Sequence, residues 1–145
     1  MNKRIYDLTT SIKLFLDGEG YKTDIVYDGY EYPKERPLIT IEQMPSNLEY
    51  IVKGREAVEV INRWQIGLHA SNQVERMKHQ ELITELLTFK KIPYYEIDKS
   101  ISEAIGFFNV EITGVTPMPS DDLAKHSVRY TVYFDVELLT VKRSC

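Results

Sequence analysis

The chain has 145 residues, 43% hydrophobic and 28% charged, with a net charge of −4 and a pI near 5.4. That length fits one domain burying about two thirds of the surface its unfolded chain exposes, and the composition argues against disorder and against a membrane span, which needs ~20 apolar residues in a row. The acidic balance leaves no lysine and arginine stripe of the kind that neutralises nucleic-acid phosphates.

The single cysteine, Cys145, is the last residue, so no internal disulfide can form and a zinc site would rest on scattered histidines. The opening residues Met1 to Asp7 carry two basic side chains but no apolar signal core, which predicts retention inside the cell that makes the protein. Tyrosine is the skewed count: ten, against five Phe and one Trp. An apolar ring with a polar tip suits half-exposed sheet faces and protein interfaces.

Ile5, Leu8, Ile12, Phe15 and Leu16 recur at helical spacing, and Gly18 and Gly20 supply a stop, so the first element reads as a helix over Asn2 to Asp17. Thr23 to Tyr27 reads as a short strand. Two prolines and several charges then make Asp28 to Pro37 an exposed loop. Leu38 to Met44 is the next strand, ended by Pro45-Ser46-Asn47. Leu48 to Val52, Lys53-Gly54 and the strand that follows have the form of a tight hairpin, because Gly54 accepts the positive φ such turns need.

The stretch from Ala57 to Ala70 alternates over about fourteen residues, roughly 45 Å at ~3.3 Å per residue. Val58, Val60, Trp64, Ile66, Leu68 and Ala70 fall on one face and Glu59, Arg63, Gln65 and His69 on the other, with Ile61 and Asn62 breaking the pattern. That length predicts a hairpin projecting beyond the core, with Asn62 to Ala70 pairing elsewhere in the sheet. Asn72 with Glu75 three residues on forms a capping-box-like start for a helix carrying Val74, Met77, Leu82, Ile83, Leu86, Leu87 and Phe89. Tyr94 to Ile97 reads as a short edge strand and Asp98 to Ile105 as one or two helical turns. Phe107 to Val115 and Val128 to Leu138 are alternating strands joined by a long loop over Thr116 to His126.

This order predicts an α+β fold: an antiparallel or mixed β-sheet of about four to five strands, two main helices on one face, and a projecting long β-hairpin, all within a single domain over 1–145. The opposite sheet face, with Tyr133, Arg63, Gln65 and Glu137, is polar enough for water and broad enough to meet a neighbouring subunit.

Chemistry is sparse. His69, His79 and His126 fall on a strand, a helix and a loop with no ligand spacing between them, and each reads as a solvated side chain. Glu111, Asp135 and Glu137 could form a carboxylate cluster, but charges on a solvent-facing sheet more often pair with cations such as Arg129 or Lys142. Asp121-Asp122 lacks the glycine and distal glutamate of a calcium loop. Nucleophile elbows, P-loops and glycine-rich dinucleotide motifs are absent from the sequence. Tyr30 and Tyr32 beside Lys34 and Arg36 could stack on bases, yet Glu31 and Glu35 cancel the attraction for phosphate, which favours a loop that docks on protein. The residues themselves therefore point to no catalytic, metal or cofactor site.

The run from Asn62 to Arg76, a strand followed by a small polar break and a helix, together with the closing strand Tyr130 to Leu138, resembles the tail terminator or tail-completion proteins of long-tailed bacteriophages. The resemblance covers most of the chain in the order of its elements and rests on few diagnostic residues. It implies a non-enzymatic virion protein, assembled in the bacterial cytoplasm as a homo-oligomeric, hexameric ring at the head–tail junction. Such a ring caps the tail-tube protein and meets head-completion or connector proteins, with DNA only as passing cargo and no membrane partner. Carried onto this chain, the candidate assembly contacts are the hairpin residues Tyr50, Ile51, Val52, Lys53, Gly54, Arg55 and Glu56, and the loop residues Tyr30, Tyr32, Arg36, Met118, Asp121 and Asp122. The alternatives are a head-side connector of the neck, or a small α+β protein- or ligand-binding module, which would need a concave apolar pocket; a hydrolase or nuclease stands behind both.

Overall fold

The computed structural model describes residues 3–50, 56–118 and 130–143. The expected hairpin tip (Ile51, Val52, Lys53, Gly54 and Arg55), together with Asp121, Asp122, His126, Val128, Arg129 and Cys145, lies outside the described residues. In chain order the elements are α1 (Ile5–Gly18), β1 (Lys22–Ile25), β2 (Leu38–Tyr50), β3 (Ala57–His69), α2 (Gln73–Phe89), β4 (Ile92–Tyr94), β5 (Gly106–Phe108), β6 (Glu111–Pro117) and β7 (Thr131–Arg143). Five strands form a mixed sheet in the order β1-β2-β3-β7-β6, and β4 pairs with β5 separately. Only the β1–β2 pair is parallel within the larger sheet.

The expected α+β class and the pair of helices on one sheet face are both present. Register aligns Ile39, Leu68 and Val132 in one cross-strand row and Ile41, Ile66 and Phe134 in the next. Because side chains alternate across a strand, these rows share a face with Trp64 and Val136, and onto it pack Leu8, Ile12 and Leu16 of α1 and Ile83 and Leu87 of α2. Trp64 is fully buried, and its Nε1–H donates to Thr9 Oγ1 at 2.8 Å. Each fully buried aliphatic side chain here contributes roughly 1.5–3 kcal/mol relative to exposure.

Local signals place the helix ends. The Tyr21 N–H donates to Leu16 O and the Gly20 N–H to Asp17 O, while Gly20 has φ of 95°. That is a Schellman stop, which favours glycine at the left-handed position. At α2, Asn72 Oδ1 accepts from the Glu75 N–H at 2.8 Å, and Glu75 Oε1 accepts from the Ser71 N–H at 2.8 Å.

Several sequence expectations are corrected. Pro45-Ser46-Asn47 does not end a strand: β2 runs on to Tyr50 through a bulge between Met44 and Asn47. Proline has no N–H for a ladder, so the chain skips out of register there; β1 pairs with β2 only as far as Ile41, leaving this stretch at an edge. On the facing strand, buried Asn62 donates from Nδ2 to Leu138 O and Thr140 Oγ1, both at 3.0 Å. The second half of β3 pairs with the first half of the same β2 on one edge and with β7 on the other.

Phe107 to Val115 is likewise split. Phe108 pairs with Ile92, whereas Ile112 pairs with Val136 in the large sheet. The short edge strand is Ile92–Tyr94 instead of Tyr94 to Ile97, the first short strand is Lys22–Ile25 instead of Thr23 to Tyr27, and residues 98–105 form turns and bends without helix.

Asp7 shows what fixes the β4 region. It is 1% exposed, and its carboxylate accepts from Arg4 Nε at 3.0 Å, the Ile97 N–H at 3.2 Å and the Tyr94 hydroxyl at 3.4 Å. Substituting Asp7→Ala strands the amide and hydroxyl donors and should cost about 1–3 kcal/mol. Urea unfolding followed by Trp64 fluorescence checks this; an unshifted midpoint would show that the network carries no stability.

Candidate functional site

The sheet face away from the helices divides into three zones along β3. At one end Leu38, His69 and Thr131 are aligned, followed by Thr40, Gly67 and Tyr133. The middle holds Glu42, Gln65 and Asp135, then Met44, Arg63 and Glu137, with Glu111 opposite Glu137 on β6. Past the bulge come Asn47, Ile61 and Leu139, then Glu49, Glu59 and Val141.

His69 is not the solvated side chain its polar-face position predicts. It is fully buried, with Nε2 2.8 Å from Thr40 Oγ1 and Nδ1 3.0 Å from Thr131 Oγ1. Gly67 makes the space: a Cβ there would stand 2.6 Å from Thr40 Oγ1 and 2.9 Å from His69 Nε2. The loop between β1 and β2 supplies the cover. Tyr32 stands edge-to-face on His69 at 5.2 Å, Tyr30 on Tyr32 at 5.0 Å and Tyr27 on Tyr30 at 5.6 Å. Tyr133 meets the other side of the imidazole at 6.1 Å. Edge-to-face aromatic pairs of this kind add about 0.5–1.5 kcal/mol beyond their buried area.

Tyr30 and Tyr32 therefore spend much of their surface on the protein's own sheet. The Tyr30 hydroxyl donates to Asp24 at 2.8 Å. Arg36 folds back on its loop, donating to Pro33 O at 2.6 Å and Glu35 O at 2.8 Å, before a cis Arg36–Pro37 peptide. Burial raises the Tyr30 hydroxyl pKa first, and the Asp24 hydrogen bond second. Burial likewise pushes Tyr133 up to about 12, helped by Tyr32 and Glu42.

The middle zone is an acidic band. Arg63 Nε reaches Glu137 at 3.5 Å, so among the described residues the partner of that carboxylate is Arg63 and not Lys142, while Arg129 lies outside them. Glu42, Glu111 and Asp135 surround the pair. The far zone is mixed: Leu139, 57% accessible, and Val141 are exposed beside exposed Asn47 and Glu49, while Leu48, 63% accessible and paired with Val60, is exposed on the opposite sheet face. Tyr50 ends β2 and the exposed Glu56 precedes β3 at this end, whereas Tyr30, Tyr32, Arg36 and Met118 belong to the His69 end, where the Met118 N–H donates to Thr131 O. The two groups of candidate contacts are thus separated by the length of β3, roughly 40 Å at about 3.3 Å per residue.

Sequence reasoning missed the outward face of α2. Val74, Met77, Leu82 and Phe89 were expected to pack inward with Ile83 and Leu87, yet they are 48–80% exposed. The signal was present: with Leu86 they spread around more of the helix than one stripe can bury. Leu82, Leu86 and Phe89 line an open cavity of about 420 Å³ with Tyr21, rimmed by the Lys90–Glu19 pair at 3.1 Å. His79, beside it, is half-buried and bonded to the Tyr21 hydroxyl at 2.9 Å.

Among the described residues no three metal-ligating side chains converge, and no helix is long and apolar enough to cross a membrane. No protein-family profile matches the chain, and no curated protein does.

Two outcomes test this geometry. A neutral phenol is favoured wherever the folded pKa is raised, so the contribution is whole below pH ~10, the ordinary tyrosine value, and is lost as pH climbs through the folded values. Absorbance at 295 nm should show Tyr21, Tyr30, Tyr94 and Tyr133 ionising late, all through burial first. Stability should fall above pH ~10, and less steeply in Tyr133→Phe; a single ordinary titration of all tyrosines would contradict the roofed site. Separately, Gly67→Ala should cost about 1–3 kcal/mol by overpacking, read from the urea midpoint, with no loss meaning that His69 does not fill that space.

Proposed function

We propose that this chain is a structural ring subunit of the phage neck, a tail terminator that caps the tail tube and joins it to the head connector. The observation that carries the reading is the far half of the β2-β3-β7 ladder. Its pairs run from Asn47↔Ile61 to Tyr50↔Val58 and from Ile61↔Leu139 to Ala57↔Arg143, beyond the residues of the main hydrophobic cluster. Among the described residues, β1 pairs with β2 only as far as Ile41, and β6 pairs with β7 only from Glu137 toward its start. Residues 42–50 and 138–142 consequently have a strand neighbour on one side only. An open edge with exposed aliphatic side chains is a template for another chain.

Two further features support the reading. A closed ring needs two different patches on one subunit, and here the ladder end, where Leu48, Leu139 and Val141 are exposed among polar residues, and the outward face of α2 are dissimilar surfaces. The acidic balance of the chain suits a lumen from which passing DNA is repelled.

The test is assembly. Sedimentation velocity and negative-stain microscopy of the purified chain, alone and with tail tubes, should show rings or capped tube ends. Leu48→Glu with Leu139→Glu, both at exposed positions, should leave the fold unchanged and weaken self-association at least tenfold. A strictly monomeric chain that ignores tube ends would overturn the assignment.

A further inference from the structure

Arg76 stands at the end of the opening turn of α2, only 9% exposed, with its Nε buried and without a hydrogen-bond partner. Its Nη1 donates to Gln80 Oε1 at 2.6 Å, a neutral acceptor on the same helix, and no ion pair among the described residues includes it. The side chain lines an open cleft of about 450 Å³ between α2 and the end of β6, walled by Met77, Thr84 and Pro117 with Glu81 beside it.

Three physical facts select the ligand class. A buried charge is tolerated when paired and hydrogen-bonded, and is costly when it is not. The opening of a helix carries positive partial charge, so a guanidinium there is opposed by its own helix while an anion is favoured. Nε and Nη in one plane match a carboxylate by two parallel bonds. Glu81 at the same cleft opposes a dianion such as phosphate more than a single carboxylate. The cleft is too open to enclose a free small molecule, which in ligand pockets loses most of its surface to protein. A carboxylate carried on another protein surface meets the geometry, with Met77, 57% exposed, beside it as apolar cover.

We infer that this cleft is a socket for an acidic side chain of a second copy of the chain, anchored by Arg76. The second copy is the occupant favoured by charge. The chain has 22 acidic against 18 basic residues, and its sheet face carries Glu42, Glu111 and Asp135 around the single Arg63–Glu137 pair. A face rich in acid and a cleft holding an unpaired cation are complementary patches on one subunit. The inference rests on the ring reading and identifies one contact within it.

The experiment compares the intact chain with Arg76→Met, which keeps the apolar stem, and Arg76→Lys, which keeps charge without the fork. Sedimentation velocity over a dilution series reads association, and the ¹⁵N-resolved Arg76 Nε–H resonance reads the socket. Wild type should associate with a concentration-dependent shift of that resonance. Arg76→Met should keep its circular dichroism and melting temperature and lose at least tenfold in association, with Arg76→Lys between the two. Unchanged association in Arg76→Met, or a resonance that does not move as copies associate, overturns the socket. Saturation of the resonance by millimolar sodium acetate in the monomer overturns the second-copy occupant in favour of a free carboxylate. Rings that form normally from Arg76→Met retain the ring and remove the socket. Wild-type association that depends on Arg76 but stops at a dimer retains the socket and removes the ring.

Discussion

The backbone of β3 is paired on one edge with β7 along its whole length and on the other with β2 from Val58 to His69 except opposite the bulge. A strand held this way sends its side chains in two fixed directions, and a shift of one residue would exchange the faces completely. Trp64, Ile66 and Leu68 then meet the helices, while Gly67 and His69 meet the tyrosine loop. The helices, the small β4–β5 pair and the loop between β1 and β2 all take their positions from that alternation.

The two faces are held by different physics. On the helix side, stability comes from apolar area and close packing, with the indole N–H of Trp64 satisfied by Thr9 so that its burial carries no polar penalty. On the other side the imidazole of His69 lies between two threonine hydroxyls beneath edge-to-face rings. That roof depends on hydrogen bonds and on a glycine-sized gap, and a loop of this kind opens more readily than a packed core. Bringing His69 under cover also removes it from contact with any substrate in solvent.

Much of the architecture was legible in residue order. Period-two alternation identified β3, β7 and their buried faces, and the Gly20 stop and the Asn72 cap were readable because each is a contact among near neighbours in sequence. The misreadings share a cause, namely partners remote in sequence. His69 occupies the face its parity predicts, but burial there depends on Tyr32, which arrives from another loop. Pro45 signals a break, yet whether the strand ends or bulges is decided by β3, whose continuous pairing with β7 carries the ladder past it. The apolar residues of α2 spread around the helix, and only the sheet beneath determines which of them it covers. An unpaired arginine is least legible of all, since the absence of a carboxylate is a property of the whole fold.

Two buried polar atoms among the described residues lack partners, Thr23 Oγ1 and Arg76 Nε, and they differ in kind. A hydroxyl is neutral, and leaving it unpaired costs about 1–3 kcal/mol. A guanidinium is charged, and leaving its Nε unpaired in a buried position costs more than leaving a hydroxyl so. The chain therefore carries a localised electrostatic cost beside exposed Met77, at a surface where an apolar neighbour would deepen it by displacing water. Covering that surface with aliphatic groups alone would raise the cost, whereas covering it with groups that include a carboxylate would relieve it. On the proposed ring reading, such a charge would act as a filter on contacts at α2, disfavouring nonspecific apolar cover and admitting a neighbour with acid in register.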